Sequence, residues 1–210
     1  MPQQVRLTLW IVAAIFVFGG LLFWVIYPRI IHHFSKENYK RQDYDVIARL
    51  VRDNDYYLIN SFAFETGSSP LVIDHLIGGD KYLYVVIDYY LPGTLEVDPR
   101  LKYAYIHTKG NEKLEIVNPF EMVRAASERL STLSGIPSDY FVGIALYNDD
   151  AVILGNAHPS ADLYLCPSRK IGKIVRSYEN RAVEPFVSAQ LWQAIQDLHS
   201  IKVQTSKEKN

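Results

Sequence analysis

The chain has 210 residues, 49% of them hydrophobic, and 22 Lys and Arg against 23 Asp and Glu give a formal net charge of −1. That balance excludes a general nucleic-acid coat, because non-specific duplex binding depends on clustered Lys and Arg neutralising phosphates. A single cysteine, Cys166, excludes an intrachain disulfide and reads as a small buried hydrophobe suited to a reducing compartment.

From Leu7 to Tyr27 every residue is apolar, aromatic, glycine or threonine. At about 1.5 Å rise per residue, roughly 20 such residues cross a hydrocarbon layer of about 30 Å. Trp10, Trp24 and Tyr27 lie near the two ends, where amphipathic rings prefer the headgroup level. A cleaved signal peptide would end in small residues, and Phe23-Trp24-Val25-Ile26-Tyr27-Pro28 has none. Arg6 alone precedes the span, whereas Arg29, Lys36, Lys40 and Arg41 follow it. The positive-inside rule therefore predicts a single-pass protein of the cell membrane, N-terminus outside and C-terminal domain cytoplasmic, with the lipid bilayer as its first partner. The expected organisation is a short extracytoplasmic N-terminus (1–6), a transmembrane helix (7–27), a basic juxtamembrane linker (28–38), an α/β domain (39–200) and a flexible tail (201–210). His32 and His33 are adjacent, share no helix face, and read as interfacial residues.

In the soluble part, Val46, Ile47, Leu50 and Val51 predict an amphipathic helix over Ser35–Asn54. Tyr56–Phe64, Leu71–Ile77 and Tyr82–Tyr90 read as strands joined at Gly67-Ser68-Ser69-Pro70 and Gly78-Gly79-Asp80, a three-stranded meander. Tyr103–His107 and Glu115–Val117 suggest an outer hairpin around Lys109-Gly110-Asn111. Asn118-Pro119-Phe120-Glu121 is a helix start, with Asn as N-cap, Pro in the first turn and Glu at the third position. Gly135-Ile136-Pro137 ends that helix. Phe141–Tyr147 and Ala151–Leu154 read as strands on either side of Asn148-Asp149-Asp150, and helices follow near Ile171–Tyr178 and Val187–His199. The fold class is α/β.

Two carboxylates stand on hydrophobic strands: Asp74 within Leu71-Val72-Ile73-Asp74-His75-Leu76-Ile77, and Asp88 at the end of Tyr84-Val85-Val86-Ile87-Asp88. Such charges are costly unless paired, metal-bound or at a strand end. A turn at Gly78–Asp80 makes the two strands antiparallel neighbours, with residue 74 roughly opposite 85 or 86. If the two acids converge they suit a hard cation such as Mg²⁺; if not, they face water or cap loops. No Gly-x-Ser-x-Gly elbow is present, Gly78-Gly79 joins two strands and is no phosphate loop, and His107 and His158 lack metal-ligand spacing. Many of the fifteen tyrosines fall on strands, where they read as core and strand residues, the alternative being stacking on single-stranded bases.

Ile73-Asp74-His75-Leu76-Ile77-Gly78-Gly79, then Tyr84-Val85-Val86-Ile87-Asp88, a Pro-Gly turn and Asn118-Pro119 together resemble the nuclease-related domain (NERD) of the restriction-endonuclease-like, PD-(D/E)xK, superfamily. The resemblance runs from about Tyr39 to Leu133. It implies a mixed sheet flanked by helices, an initial helix bearing an acid, a strand with Asp-His, and a strand ending in an acid two residues before a Lys. It also implies Mg²⁺ held between the acids, with the Lys orienting or activating the water that attacks a phosphodiester of nucleic acid.

Carried onto this sequence, Asp74 matches the first acid, Asp88 the second and Asp45 the helix acid; the metal would fall to Asp74 and Asp88. Tyr90 stands at the Lys position. The parity along the strand is right, but a tyrosine is neutral at pH 7 and supplies no cation. Tyr44-Asp45 replaces the family's Gly-Glu, and Glu121 and Met122 occupy the region of its usual Gln after Asn-Pro. Lys81, Lys102 and Lys109 are the candidates for a migrated lysine. These departures predict a catalytically weak or inactive domain that binds or scaffolds at the cytoplasmic membrane face. The alternatives are an active Mg²⁺-dependent endonuclease and a protein-binding subunit of a membrane complex.

Overall fold

A computed structural model describes residues 18, 20, 23, 26, 27, 35–66, 69–108, 110, 112–187, 189 and 191–198. Most of the 7–27 span, the 28–34 stretch and the 201–210 tail lie outside them. Among the described residues, no helix is long and apolar enough to cross a membrane. Those described between 18 and 27 are helical, and Phe18, Phe23, Ile26 and Tyr27 are exposed. The chain divides into two compact units, Met1–Gln42 and Asp43–Asn210.

Helix α1 covers residues 35–54. In the second unit its buried stripe is Asp43, Ile47 and Leu50, residues four and three apart, which share one helix face. The helix stops because Asp55 takes a left-handed conformation (φ 56°). The Tyr56 N–H then returns to the Val51 carbonyl at 3.0 Å, satisfying one of the last-turn carbonyls.

The meander follows as β1 (Tyr57–Thr66), β2 (Ser69–Gly78) and β3 (Leu83–Tyr89). Next come β4 (Gly93–Val97), β5 (Tyr103–Thr108) and β6 (Lys113–Val117), helix α2 (Pro119–Ser134), and β7 (Phe141–Tyr147), β8 (Val152–Gly155) and β9 (Leu163–Pro167). Helix α3 (Ile171–Glu179) and α4 (191–198) close the order. The strands make two sheets: β1-β2-β3-β7-β9, antiparallel on the meander side and parallel from β3 onward, and β6-β5-β4-β8. The result is an α/β fold with mixed sheets flanked by helices.

Two strands have no counterpart in the sequence reading. In β4, Glu96 breaks the apolar run, and Leu163–Pro167 ends in a proline, so neither carries a clear strand signal. The strands on either side of Asn148-Asp149-Asp150 are not partners: β7 enters the first sheet, while β8 runs parallel to β4 in the second. At Gly93 a Cβ would sit 2.1 Å from the His107 carbonyl oxygen, so the β4–β5 ladder closes only over glycine.

The five-stranded sheet buries both faces. On one, Tyr84, Val86, Ile144 and Leu146 meet Ile47 of α1 and Val175 of α3. On the other, Val85, Ile87 and Ala145 meet Phe120 and Val123 of α2, Ile195 of α4 and the inner face of the second sheet. β3 serves both clusters, which is why its run Leu83–Ile87 is apolar without alternation.

Helix α2 begins as its sequence predicts. Asn118 is the N-cap, its side chain accepting from the Phe120 N–H at 3.1 Å, with Pro119 in the first turn. Its amide also donates to the carbonyls of Asp98 (2.8 Å) and Leu101 (2.7 Å), so one fully buried side chain starts the helix and ties down the β4–β5 turn. Asn118→Ala should cost about 1–3 kcal/mol in thermal or urea unfolding, and Asn118→Ser, which keeps a cap, should recover part of it. A loss below about 0.5 kcal/mol, the range of an inert surface change, would refute this role.

Candidate functional site

The β1–β2 ladder is regular except at one place. Asn60 pairs with His75 and Phe62 with Ile73, and Ser61 between them has a left-handed backbone (φ 53°). The irregularity shifts the phase of β2: Ile73 and Leu76 pack in the same core cluster, although an odd spacing would send them to opposite faces of a regular strand. His75 stands on the face of Val86, its partner on β3, and Asp88 lies two residues further along that face.

Three polar side chains meet there. His75 Nδ1 lies 2.7 Å from Asn60 Oδ1 and Nε2 lies 3.2 Å from Asp88 Oδ2. The His75 and Asp88 side chains are only 8% and 4% exposed. Both ring nitrogens lie within hydrogen-bond distance of an oxygen atom. The other carboxylate oxygen, Asp88 Oδ1, is buried with no hydrogen-bond partner. The Tyr44 ring of α1 stands 6.3 Å from the imidazole.

Asp74 is engaged separately. Its Oδ2 accepts the Asp88 backbone N–H at 2.9 Å, taking over where the β2–β3 ladder stops at His75 and Val86. Its charge helps raise the Tyr89 hydroxyl, though burial is the larger cause. Tyr89 is on the opposite face of β3 from Asp88, and its hydroxyl donates to the Met122 sulfur at 2.9 Å. Asp74 thus reaches the backbone of Asp88, but each carboxylate has its own partner. Among the described residues, no group of three or more His, Cys, Asp or Glu is placed to hold a metal ion.

The other candidates are dispersed. Asp45 is exposed on α1, and the inward acid of that helix is Asp43, fully buried. The two are about 200° apart around a helix of 3.6 residues per turn. Tyr90 is partly buried just past the end of β3. Lys81 is tied to the carbonyls of Glu179 (2.6 Å) and Arg181 (2.7 Å) at the start of β3. The Lys102 ammonium sits 5.6 Å from the Tyr103 ring centroid in the second sheet, and Lys109 lies outside the described residues. Glu121 pairs with Arg124 on α2.

Sequence reasoning missed Asn60, Asp43 and Asn148. Asn148 pins the segment after Tyr90, accepting from the Leu91 N–H (2.6 Å) and donating to its carbonyl (3.0 Å). A polar residue on the Ile47–Leu50 stripe could have marked Asp43. Asn60 and Asn148 carry no comparable local signal.

The parallel register lines up Asp88, Leu146 and Cys166 across β3, β7 and β9, at the C-terminal strand ends where open α/β sheets hold ligands. Burial pushes the Cys166 thiol up to about 12; Lys170 opposes the shift and Asp43 adds to it. An ordinary thiol, at 9.0, ionises first in the unfolded chain. This group therefore favours the folded state at neutral pH, and that contribution is lost as pH rises from 9 towards 12. Cys166 should resist thiol reagents at pH 8 in the folded protein and react once urea unfolds it. Rapid labelling of the folded chain would contradict this burial.

In comparisons with known proteins, no family model, no curated protein and no solved structure matches the chain.

Proposed function

We propose that the chain is a membrane-anchored, nuclease-related α/β module, catalytically weak or inactive, that binds or scaffolds at the cytoplasmic face of the cell membrane. The observation that carries this reading is the engagement of its acids: Asp74 holds a backbone N–H and Asp88 holds His75. The element order supports the family part. A helix, a strand carrying Asp-His and a strand ending in an acid lie in one mixed sheet, the arrangement that the resemblance implies. The inactive part draws on Tyr90 at the lysine position and on Lys81 and Lys102 being occupied elsewhere.

For the anchor, the support is the uncharged run from Leu7 to Tyr27, the basic residues that follow it, and the exposed Phe18, Phe23, Ile26 and Tyr27. Apolar side chains left uncovered on a helix suit a lipid environment. A binding role draws on the second sheet and the turn leading into it, where Leu101, Tyr103, Leu114, Val117, Val152 and Leu154 are exposed. Such a concentration favours a protein partner over a free surface.

The full-length protein in detergent, supplied with Mg²⁺ or Mn²⁺, should leave single- and double-stranded DNA and RNA uncut. Metal-dependent cleavage that disappears in Asp74→Ala would replace this reading with the active endonuclease. A photo-crosslinking residue at Val152 should capture another membrane polypeptide in native membranes, and Leu154→Glu should weaken the crosslink. No crosslink from Val152 or from Tyr103 would remove the protein-binding role of this sheet.

A further inference from the structure

We propose that β8 is a self-pairing edge: two copies of this chain join their second sheets by laying β8 antiparallel against β8, centred on Ile153. The inference rests on the reading of the second sheet as a protein-binding face, and it names the partner that this face takes.

A strand edge offers N–H and C=O groups to any extended chain, and folds ordinarily guard it with charge, proline, a local distortion or cover. The outer strands of the two sheets are β1, β9, β6 and β8. β1 carries the left-handed Ser61, β9 is mostly buried and ends in Pro167, and β6 carries Lys113 and Glu115. β8 has none of these guards. It reads Val152-Ile153-Leu154-Gly155, with no charge and no proline. Among the described residues its ladder is the parallel one with β4, and Val152 and Leu154 are 54% and 52% exposed.

What suits this edge to a second copy is that its sequence complements itself. Antiparallel pairing centred on Ile153 sets Val152 of each copy opposite Leu154 of the other. Both residues stand on the outer face of the second sheet, level with Thr94 and Glu96 of β4, while Leu95 and Val97 point into the core. Each copy therefore covers the exposed apolar pair of the other. Further out, Ala151 meets Gly155 and Asp150 meets Asn156, so no like charges stand directly opposite, an arrangement that would be destabilising. The same operation on β6, about its central residue, sets Glu115 against Glu115. A strand of unrelated sequence would find the same backbone groups on β8 but no charge to select it.

A ladder of this length buries far less than the roughly 1,000 Å² of a lasting interface, so free copies pair weakly. In an anchored chain both copies share one membrane, and that confinement raises their effective concentration.

The test is disulfide trapping between full-length copies in isolated membranes under mild oxidation. The wild type, whose single cysteine is the buried Cys166, serves as the blank. Val152→Cys and Leu154→Cys change exposed side chains only, so both variants should fold. Co-expressed with different tags, they should join to each other several-fold more than either joins to itself. Directly opposite residues have Cβ atoms about 4.5–5.5 Å apart and diagonal ones about 7–8 Å, whereas a disulfide needs about 3.5–4.5 Å. Equal yields for the mixed and the like pairs overturn the register, and no disulfide dimer overturns the self-pairing altogether. These results are separable from the functional reading. A photo-crosslink from Val152 to a different polypeptide, without the mixed disulfide, refutes self-pairing and leaves the binding role. A mixed disulfide in a chain that cuts nucleic acid refutes the inactive module and leaves self-pairing.

Discussion

Burial of β3 on both faces is the constraint on which the rest of the fold depends. Leu83, Val85 and Ile87 belong to one core cluster and Tyr84 and Val86 to the other. The strand is antiparallel to β2 on one side and parallel to β7 on the other. A strand enclosed in this way cannot tolerate a charge in its middle, so the first acid, Asp88, comes where the apolar run ends. Even there its side chain is nearly inaccessible, and a carboxylate in such a place must be neutralised by what surrounds it.

Two neighbouring strands supply the polar partners: His75 of β2, held on that face by its pairing with Val86, and Asn60 of β1 beside it. A strictly alternating β2 could not bury both Ile73 and Leu76 in one cluster, and the break in alternation falls beside the left-handed Ser61, a conformation sterically disfavoured for a residue with a Cβ. The irregularity also lies on β1, an edge strand of its sheet, and breaks a long edge that would otherwise invite pairing with another chain.

What was legible in the sequence was whatever local chemistry specifies. The Asn118-Pro119 cap, the apolar stripe of α1, the Gly78–Asp80 turn and the continuous run of β3 each carry their signal within a few residues, and the meander follows from them. The antiparallel pairing of the strands that carry Asp74 and Asp88 was legible for the same reason, but whether the two acids converge was left open by it. What was not legible depends on partners far away in the chain. β4 becomes a strand by pairing with β5 and β8, β9 by pairing with β7. Asn148 acts on Leu91, and Asn60 on His75, across a ladder whose phase shift no alternation pattern announces. The acid of α1 turned on rotation alone: Asp43 and Asp45 are both aspartates and differ in the face they occupy.

Each acid at this place has a structural role of its own. Asp74 satisfies the Asp88 N–H, His75 compensates the Asp88 carboxylate, and Asn60 fixes His75. Removing any one member leaves a buried group unpaired, which commonly costs more than the interaction itself contributes. Replacing Asp88 and His75 together by apolar residues of matching volume is nearly neutral in such settings, but it requires both changes at once. A closed network of this kind holds its residues in place through the penalty for dismantling it singly. The presence of Asp74 and Asp88 on these strands therefore carries little weight as a sign of chemistry, and the partners of their oxygens carry most of it. On that measure the site is a fastened end of the sheet.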